Sequence, residues 1–173
     1  MTHPELVPDR PATEDVLGRL HSVAGDIRLV RARREHVPAI ARLLADDEIA
    51  VDREDAGEEE AYRKAFDAVD ADPRQLQVAG LVGDEPVVTL QIVFIPGLSR
   101  RGALRAQLEA VRVAEPLRGT GIGTAVFQWA IEYARERGAT LLQLTTDRRR
   151  AEAHHFYERL GFVDSHLGFK LEL

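Results

Sequence analysis

Gly119, Gly121 and Gly123 stand at alternate positions between a strand-like run and a helix-like run. Glycine lets the chain bend tightly there and removes the side chains that would keep a ligand away from the first helical amides. Those amides have no acceptor within the helix, and the helix dipole adds positive potential, so the turn suits a phosphate group. Arg118 can add charge from the flank. A Walker A loop is excluded, because no Lys-Ser or Lys-Thr follows the glycines at the required interval. A dinucleotide fingerprint fits poorly: its third glycine would fall on Thr124, and too little chain follows Asp147 to complete a Rossmann half.

Other reactive residue types offer less. The chain has no cysteine, which removes disulfides, thiolate metal sites and a cysteine acyl carrier. Glu152 and His155 have the i, i+3 spacing of a carboxylate–histidine metal pair and His154 adjoins them, but no second such pair and no HExxH motif exists, so no metal is expected. Ser22, Ser99 and Ser165 lie outside any Gly-x-Ser-x-Gly elbow, which sets hydrolase chemistry aside.

The elements that would position the glycine turn follow from periodicity. Residues 1–25, with three prolines and then Val16, Leu17 and Leu20 at helical spacing, read as an N-terminal extension ahead of one domain over 26–173. Ile27 to Arg33 alternates as a strand. Val37, Ile40, Ala41 and Leu44 then mark a helix with Pro38 early, and a second helix runs from about Glu58 to Val69. Gln75 to Val82 and Pro86 to Ile95 form a hairpin around Gly83-Asp84-Glu85, and Ala103 to Ala114 continues as a strand. After the glycines, Ile122, Val126, Trp129, Ala130 and Tyr133 share a helix face ending at Gly138, with Trp129 expected in the core. Leu141 to Thr145 reads as a strand. Ala153, Phe156, Tyr157 and Leu160 mark a final helix stopped by Gly161, after which Phe162-Val163 and Phe169 to Leu173 read as strands.

Val111-Arg112-Val113 followed by Pro116-Leu117-Arg118-Gly119-Thr120-Gly121-Ile122-Gly123 resembles the Arg/Gln-x-x-Gly-x-Gly motif of the GNAT superfamily of N-acetyltransferases. Ala153 to Phe162 resembles that family's second signature, and the order of elements agrees from about Ile27 to Leu173. The Asn often found shortly before the second signature is absent, with Asp147 and Arg150 nearest. The resemblance implies an α/β (α+β) fold, a mixed and mostly antiparallel central sheet flanked by helices. It implies acetyl-CoA as co-substrate, with the pantetheine arm along Val111, Arg112 and Val113 and the pyrophosphate on the amides from Arg118 through Thr124. It further implies direct transfer to an amine, with Tyr157 as general acid toward the leaving sulfur. On periodicity alone Tyr157 belongs to an apolar face. A backbone N–H near Val113 could stabilise the oxyanion.

The attacking amine must lose a proton, since a primary amine has a pKa of about 10. Glu109 is the first candidate base, because strand alternation would put Gln107, Glu109, Val111 and Val113 on one face. A noncatalytic acyl-CoA-binding regulatory module is the alternative. Arg148 to Arg150 reads either as a solvated basic cluster or as a partner for nucleotide phosphates.

Composition sets the outer limits. The 173 residues carry 45% hydrophobic and 30% charged side chains, the profile of one soluble globular domain. A net charge of −6 argues against nucleic acid as the main partner, and no apolar run approaches a membrane span. Asp46 to Glu60 carries nine carboxylates against Arg53, which would attract a cationic amine or simply solvate a loop. The expected partner is a small-molecule or peptide amine; the resemblance also admits a homodimer. The N-terminal stretch lacks a signal-peptide pattern, so a cytoplasmic setting is expected.

Overall fold

The computed structural model describes residues 15–22, 25–46, 55 and 57–173. Six strands lie in sequence order in one sheet: β1 (Val16–Ser22), β2 (Gly25–Arg31), β3 (Gln75–Val82), β4 (Glu85–Ile95), β5 (Leu104–Val113) and β6 (Ala139–Leu144). Neighbours run antiparallel except β5 and β6, which are parallel. That change of direction needs a crossover, supplied by the helix α3 (Ile122–Glu136) between them. Helices α1 (Val37–Ala45) and α2 (Glu59–Ala71) separate β2 from β3, and α4 (Ala151–Arg159) follows β6.

The sheet buries both faces. On one, Val30, Ala32, Ala79 and Leu81 pack against Val37 and Ile40 of α1 and Phe66 of α2. On the other, Val78, Val88, Leu90, Ile92, Ala106 and Leu108 meet Ile122, Val126, Phe127 and Ala130 of α3, with Phe156 and Tyr157 of α4 at the margin. Trp129 is half-buried against this second core, its ring tilted by 37° on that of Tyr133 with centroids 4.9 Å apart. Gly80 shows how tightly the strands are covered: a Cβ there would stand 2.8 Å from Val88 Cβ and 3.1 Å from Ile27 Cγ2. Gly80→Ala is expected to cost about 1–3 kcal/mol by overpacking. Thermal or urea unfolding checks this, and an unchanged midpoint would mean that the strands can separate at no cost.

Two expectations from the sequence are corrected. Val16, Leu17 and Leu20 have helical spacing, yet Val16–Ser22 is a strand paired with β2, so the sheet begins ahead of the boundary drawn at residue 26. The reason is tertiary. A Cβ on Gly18 would lie 2.7 Å from Trp129 Nε1, and that indole N–H donates to the Leu17 carbonyl at 3.3 Å, so backbone and not side chain meets the indole here. At the other end, Phe162-Val163 and Phe169 to Leu173 form no strand; Val163 through Leu173 has no regular secondary structure and every residue is exposed. Residues 1–14 and most of the acidic run, from 47 to 54, lie outside the described residues.

Candidate active site

The glycine turn is built as its composition requires. A short 3₁₀ turn, Glu115–Leu117, leads through Gly119 (φ +74°) to Gly121 (φ +89°), which is the N-cap of α3. Both φ values lie in the left-handed region that glycine adopts without steric cost. In front of either one a Cβ would meet nothing within 4 Å, so the glycines serve backbone conformation and leave open space before the helix. No side chain caps α3, and the first helical bond to the cap residue runs from Ala125 N–H to the Gly121 carbonyl at 3.1 Å. The amides of Ile122, Gly123 and Thr124 therefore lie at the positive end of the helix without a side-chain acceptor. The Ile122 side chain is buried beneath them. The Thr120 hydroxyl donates to the Leu117 carbonyl at 2.7 Å.

Arg118 is engaged from two sides. Its Nε donates to the Val113 carbonyl at 3.0 Å, and its Nη2 donates to the Asp46 carboxylate at 2.6 Å and the Asp46 carbonyl at 2.9 Å. The side chain expected to flank a phosphate thus also ties the glycine turn to the end of α1.

Beside the turn the sheet parts. Pairing of β5 with β6 ends at Leu108 with Leu144, so Glu109 to Val113 continue without a strand on that side among the described residues. Ala114 N–H bonds the Val87 carbonyl of β4 at 2.8 Å, and alternation along the strand turns the Val113 N–H the opposite way, into the parting. The same alternation places Val111's backbone groups there. Arg112 lies between them, its Nη1 donating to the Val111 carbonyl at 2.9 Å.

A β-bulge at Ala110, which has φ +52°, corrects the expected face of Glu109. Gln91 pairs with Glu109 and Thr89 with Arg112, so three steps on β5 match two on β4. Gln107 and Glu109 share the α1/α2 face, while Val111 and Val113 pack into the core beneath α3 and α4. Around Glu109 runs a row of side-chain amides that sequence reasoning had missed. Arg105 donates to Gln143 at 3.4 Å, Gln143 donates to Gln107 at 2.7 Å, and the Gln107 amide donates to the Glu109 carboxylate. Strand alternation in both β5 and β6 was the signal that could have found it, once the two were paired.

Tyr157 stands across the parting from α4. Its ring packs on Phe127 (5.5 Å between centroids), Phe156 (5.5 Å) and Phe162 (6.1 Å). Burial pushes its phenol pKa above the ordinary value; the Arg150 and Arg112 charges and a hydrogen bond with Thr146 pull the other way. The phenol therefore stays protonated at neutral pH and is a donor. Phe156, its neighbour, lies 3.7 Å from where a Gly123 Cβ would be, so α4 crosses the start of α3.

The remaining candidates are in local pairs. Asp147 accepts from Arg149 through Nε at 3.0 Å, Nη2 at 2.9 Å and the backbone N–H at 2.9 Å, which hold its carboxyl well below the usual range. His154 Nε2 meets the Asp147 carbonyl at 3.1 Å, and His155 faces Glu158 at 3.3 Å. Among the described residues no group of three metal-ligating side chains occurs, and no helix is long and apolar enough to cross a membrane.

An acetyltransferase (GNAT) family model matches residues 37–162, and the chain belongs to that family. A solved structure of a transcriptional regulator from Bacillus halodurans C-125 superimposes with a TM-score of 0.81 at 38% identity, covering 85% of this chain and 99% of that one. Streptothricin acetyltransferase of Streptomyces lavendulae is 33% identical over 126 residues, 73% of this chain and 58% of the relative. Aminoalkylphosphonate N-acetyltransferase of Salmonella typhimurium is 41% identical over 63 residues, 36% of this chain and 41% of the relative. The matched stretches thus cover less than two thirds of either curated relative.

Proposed function

We propose that the protein transfers an acetyl group from acetyl-CoA to the primary amine of a small molecule by direct attack, with both substrates bound. The observation that carries this reading is the junction of the uncapped amides of Ile122 to Thr124 with the unpaired edge of β5, beside the helix α4 that carries Tyr157. The residues fit the co-substrate. The amides and helix dipole suit its pyrophosphate, and the backbone N–H groups of Val111 and Val113, whose carbonyls accept from Arg112 and Arg118, suit the amide carbonyls of pantetheine, as a strand edge accepts another strand.

In the proposed step the amine nitrogen bonds to the thioester carbonyl carbon as the carbon–sulfur bond breaks. Glu109 takes the amine proton, directly or through one water, from the α1/α2 face. The Val113 N–H stabilises the oxyanion in this reading. Tyr157 donates its hydroxyl hydrogen bond to the departing sulfur, which needs modest help because a thiol has a pKa of about 8.5. The amide row around Glu109 offers hydrogen bonds to a polar acceptor, in keeping with relatives named for aminoalkylphosphonate and streptothricin.

A second reading has one observation behind it: the Bacillus halodurans relative is named a transcriptional regulator. On that reading the glycine turn binds acyl-CoA and turnover has been lost. Thiol release from acetyl-CoA with a panel of primary amines, aminoalkylphosphonates among them, separates the two. Amine-dependent release is expected. Tight CoA binding with no release from any amine would favour the regulatory module.

A further inference from the structure

The side-chain row beside Glu109 has a direction. Arg105 Nη1 donates to Gln143 Oε1 at 3.4 Å, Gln143 Nε2 donates to Gln107 Oε1 at 2.7 Å, and Gln107 Nε2 donates to Glu109 Oε1. A guanidinium can only donate and an ionised carboxylate can only accept, so the two ends decide which way each amide between them turns. Reversing either glutamine would set oxygen against oxygen and N–H against N–H. The strand register makes the row possible, because Gln107 and Gln143 are partners across the parallel β5–β6 pair and Gln107 and Glu109 are two residues apart on one face.

Glu109 depends on this row. Its partner across the sheet, Gln91, commits its amide to Gln75 at 2.6 Å, and pairing with β6 stops at Leu108, one residue before it. The bulge at Ala110 follows at once. Among the described residues, Gln107 is therefore the side chain that donates to the Glu109 carboxylate. We infer, resting on the proposed role of Glu109 as the base, that Gln107 positions its carboxylate, with Gln143 and Arg105 fixing the direction of the Gln107 amide. Held at Oε1, the carboxylate keeps Oε2 for the amine proton and is aimed before the amine arrives. A glutamate at the end of regular pairing has many rotamers that point elsewhere, and one charge-assisted hydrogen bond removes most of them. Gln107, Gln143 and Glu109 are half-buried, where such a bond is stronger than in open water.

A double-variant cycle in the full chain tests this, with acetyl-CoA and whichever primary amine of the panel the native protein turns over fastest, all at one pH. Gln107→Met nearly keeps the length and volume of the side chain and removes the amide. It is expected to lower kcat ~10-fold with the KM for acetyl-CoA within a few fold. Gln143→Met is expected to lower kcat less, since Glu109 still orients Gln107. In the Glu109→Gln background, Gln107→Met is expected to cost little further, because a residue acting through the base then has nothing left to position. A loss that persists in full in that background, or one confined to the KM for the amine, would make Gln107 a packing or acceptor-binding residue and overturn the inference. Unchanged kcat in Gln107→Met beside a reduced kcat in Glu109→Gln would also overturn it while leaving the base in place. Unchanged kcat in Glu109→Gln, or no turnover of any amine by the native protein, removes the base and the inference with it. Should Gln107→Met not fold, Gln143→Met decides in the same two backgrounds: a loss present with Glu109 and absent without it supports positioning, and an equal loss in both, or none in either, refutes it.

Discussion

Tyr157→Phe is expected to lower turnover by up to ~10²-fold while leaving the KM for acetyl-CoA within a few fold. The substitution removes one oxygen and keeps the ring, so the packing on Phe127, Phe156 and Phe162 survives. In the proposed mechanism what is lost is the donor to the leaving sulfur, an interaction that matters most as charge develops there. The pH dependence carries a second signature. The proposed acid role needs the protonated phenol, and burial raises its pKa, so the native rate should fall on the alkaline side only above the ordinary phenol range. The Phe variant has no such limb. Steady-state kinetics across pH checks both features, and unchanged turnover would remove Tyr157 from the acid role.

Glu109→Gln is expected to reduce turnover at neutral pH by ~10²-fold or more, because the acceptor amine then reaches the thioester still protonated. Glutamine keeps a side-chain oxygen to receive the Gln107 amide, so the row of Arg105, Gln143 and Gln107 is preserved and the loss reports on the proton alone. Raising the pH supplies neutral amine from solution. Below the amine's pKa of about 10, the variant rate should climb close to tenfold per pH unit, and steeply enough to narrow the gap to the native enzyme. A gap that stays constant with pH would assign Glu109 to binding instead of proton removal.

Much of the architecture was legible because it depends on local patterns. The apolar faces of α1, α3 and α4 repeat at helical spacing, the β3–β4 hairpin carries Gly83 at its turn, and the alternate glycines before α3 announce a backbone with positive φ. The parts that were not legible depend on partners distant in sequence. Nothing in Glu109-Ala110-Val111 marks a bulge, since alanine and not glycine takes the left-handed conformation; pairing with β4 dictates it, and it reverses which residues share a face with Glu109. Gly18 lies in β1, and its neighbour Leu17 accepts from the Trp129 indole, so helical spacing around it misleads. The Arg118–Asp46 pair joins two loops that no periodicity connects. For Phe169 to Leu173 the alternation is plain, but among the described residues no strand pairs with it.

The central claim is that the amides opening α3 hold the diphosphate of CoA while its thioester end lies under Tyr157. A crystal structure of the complex with CoA tests this most directly. The expected result is pyrophosphate oxygens within hydrogen-bond distance of the Ile122, Gly123 and Thr124 amides, pantetheine paired to Val111 and Val113, and the sulfur beside the Tyr157 hydroxyl. CoA bound elsewhere, or that helix start closed by protein atoms with CoA excluded, would contradict it.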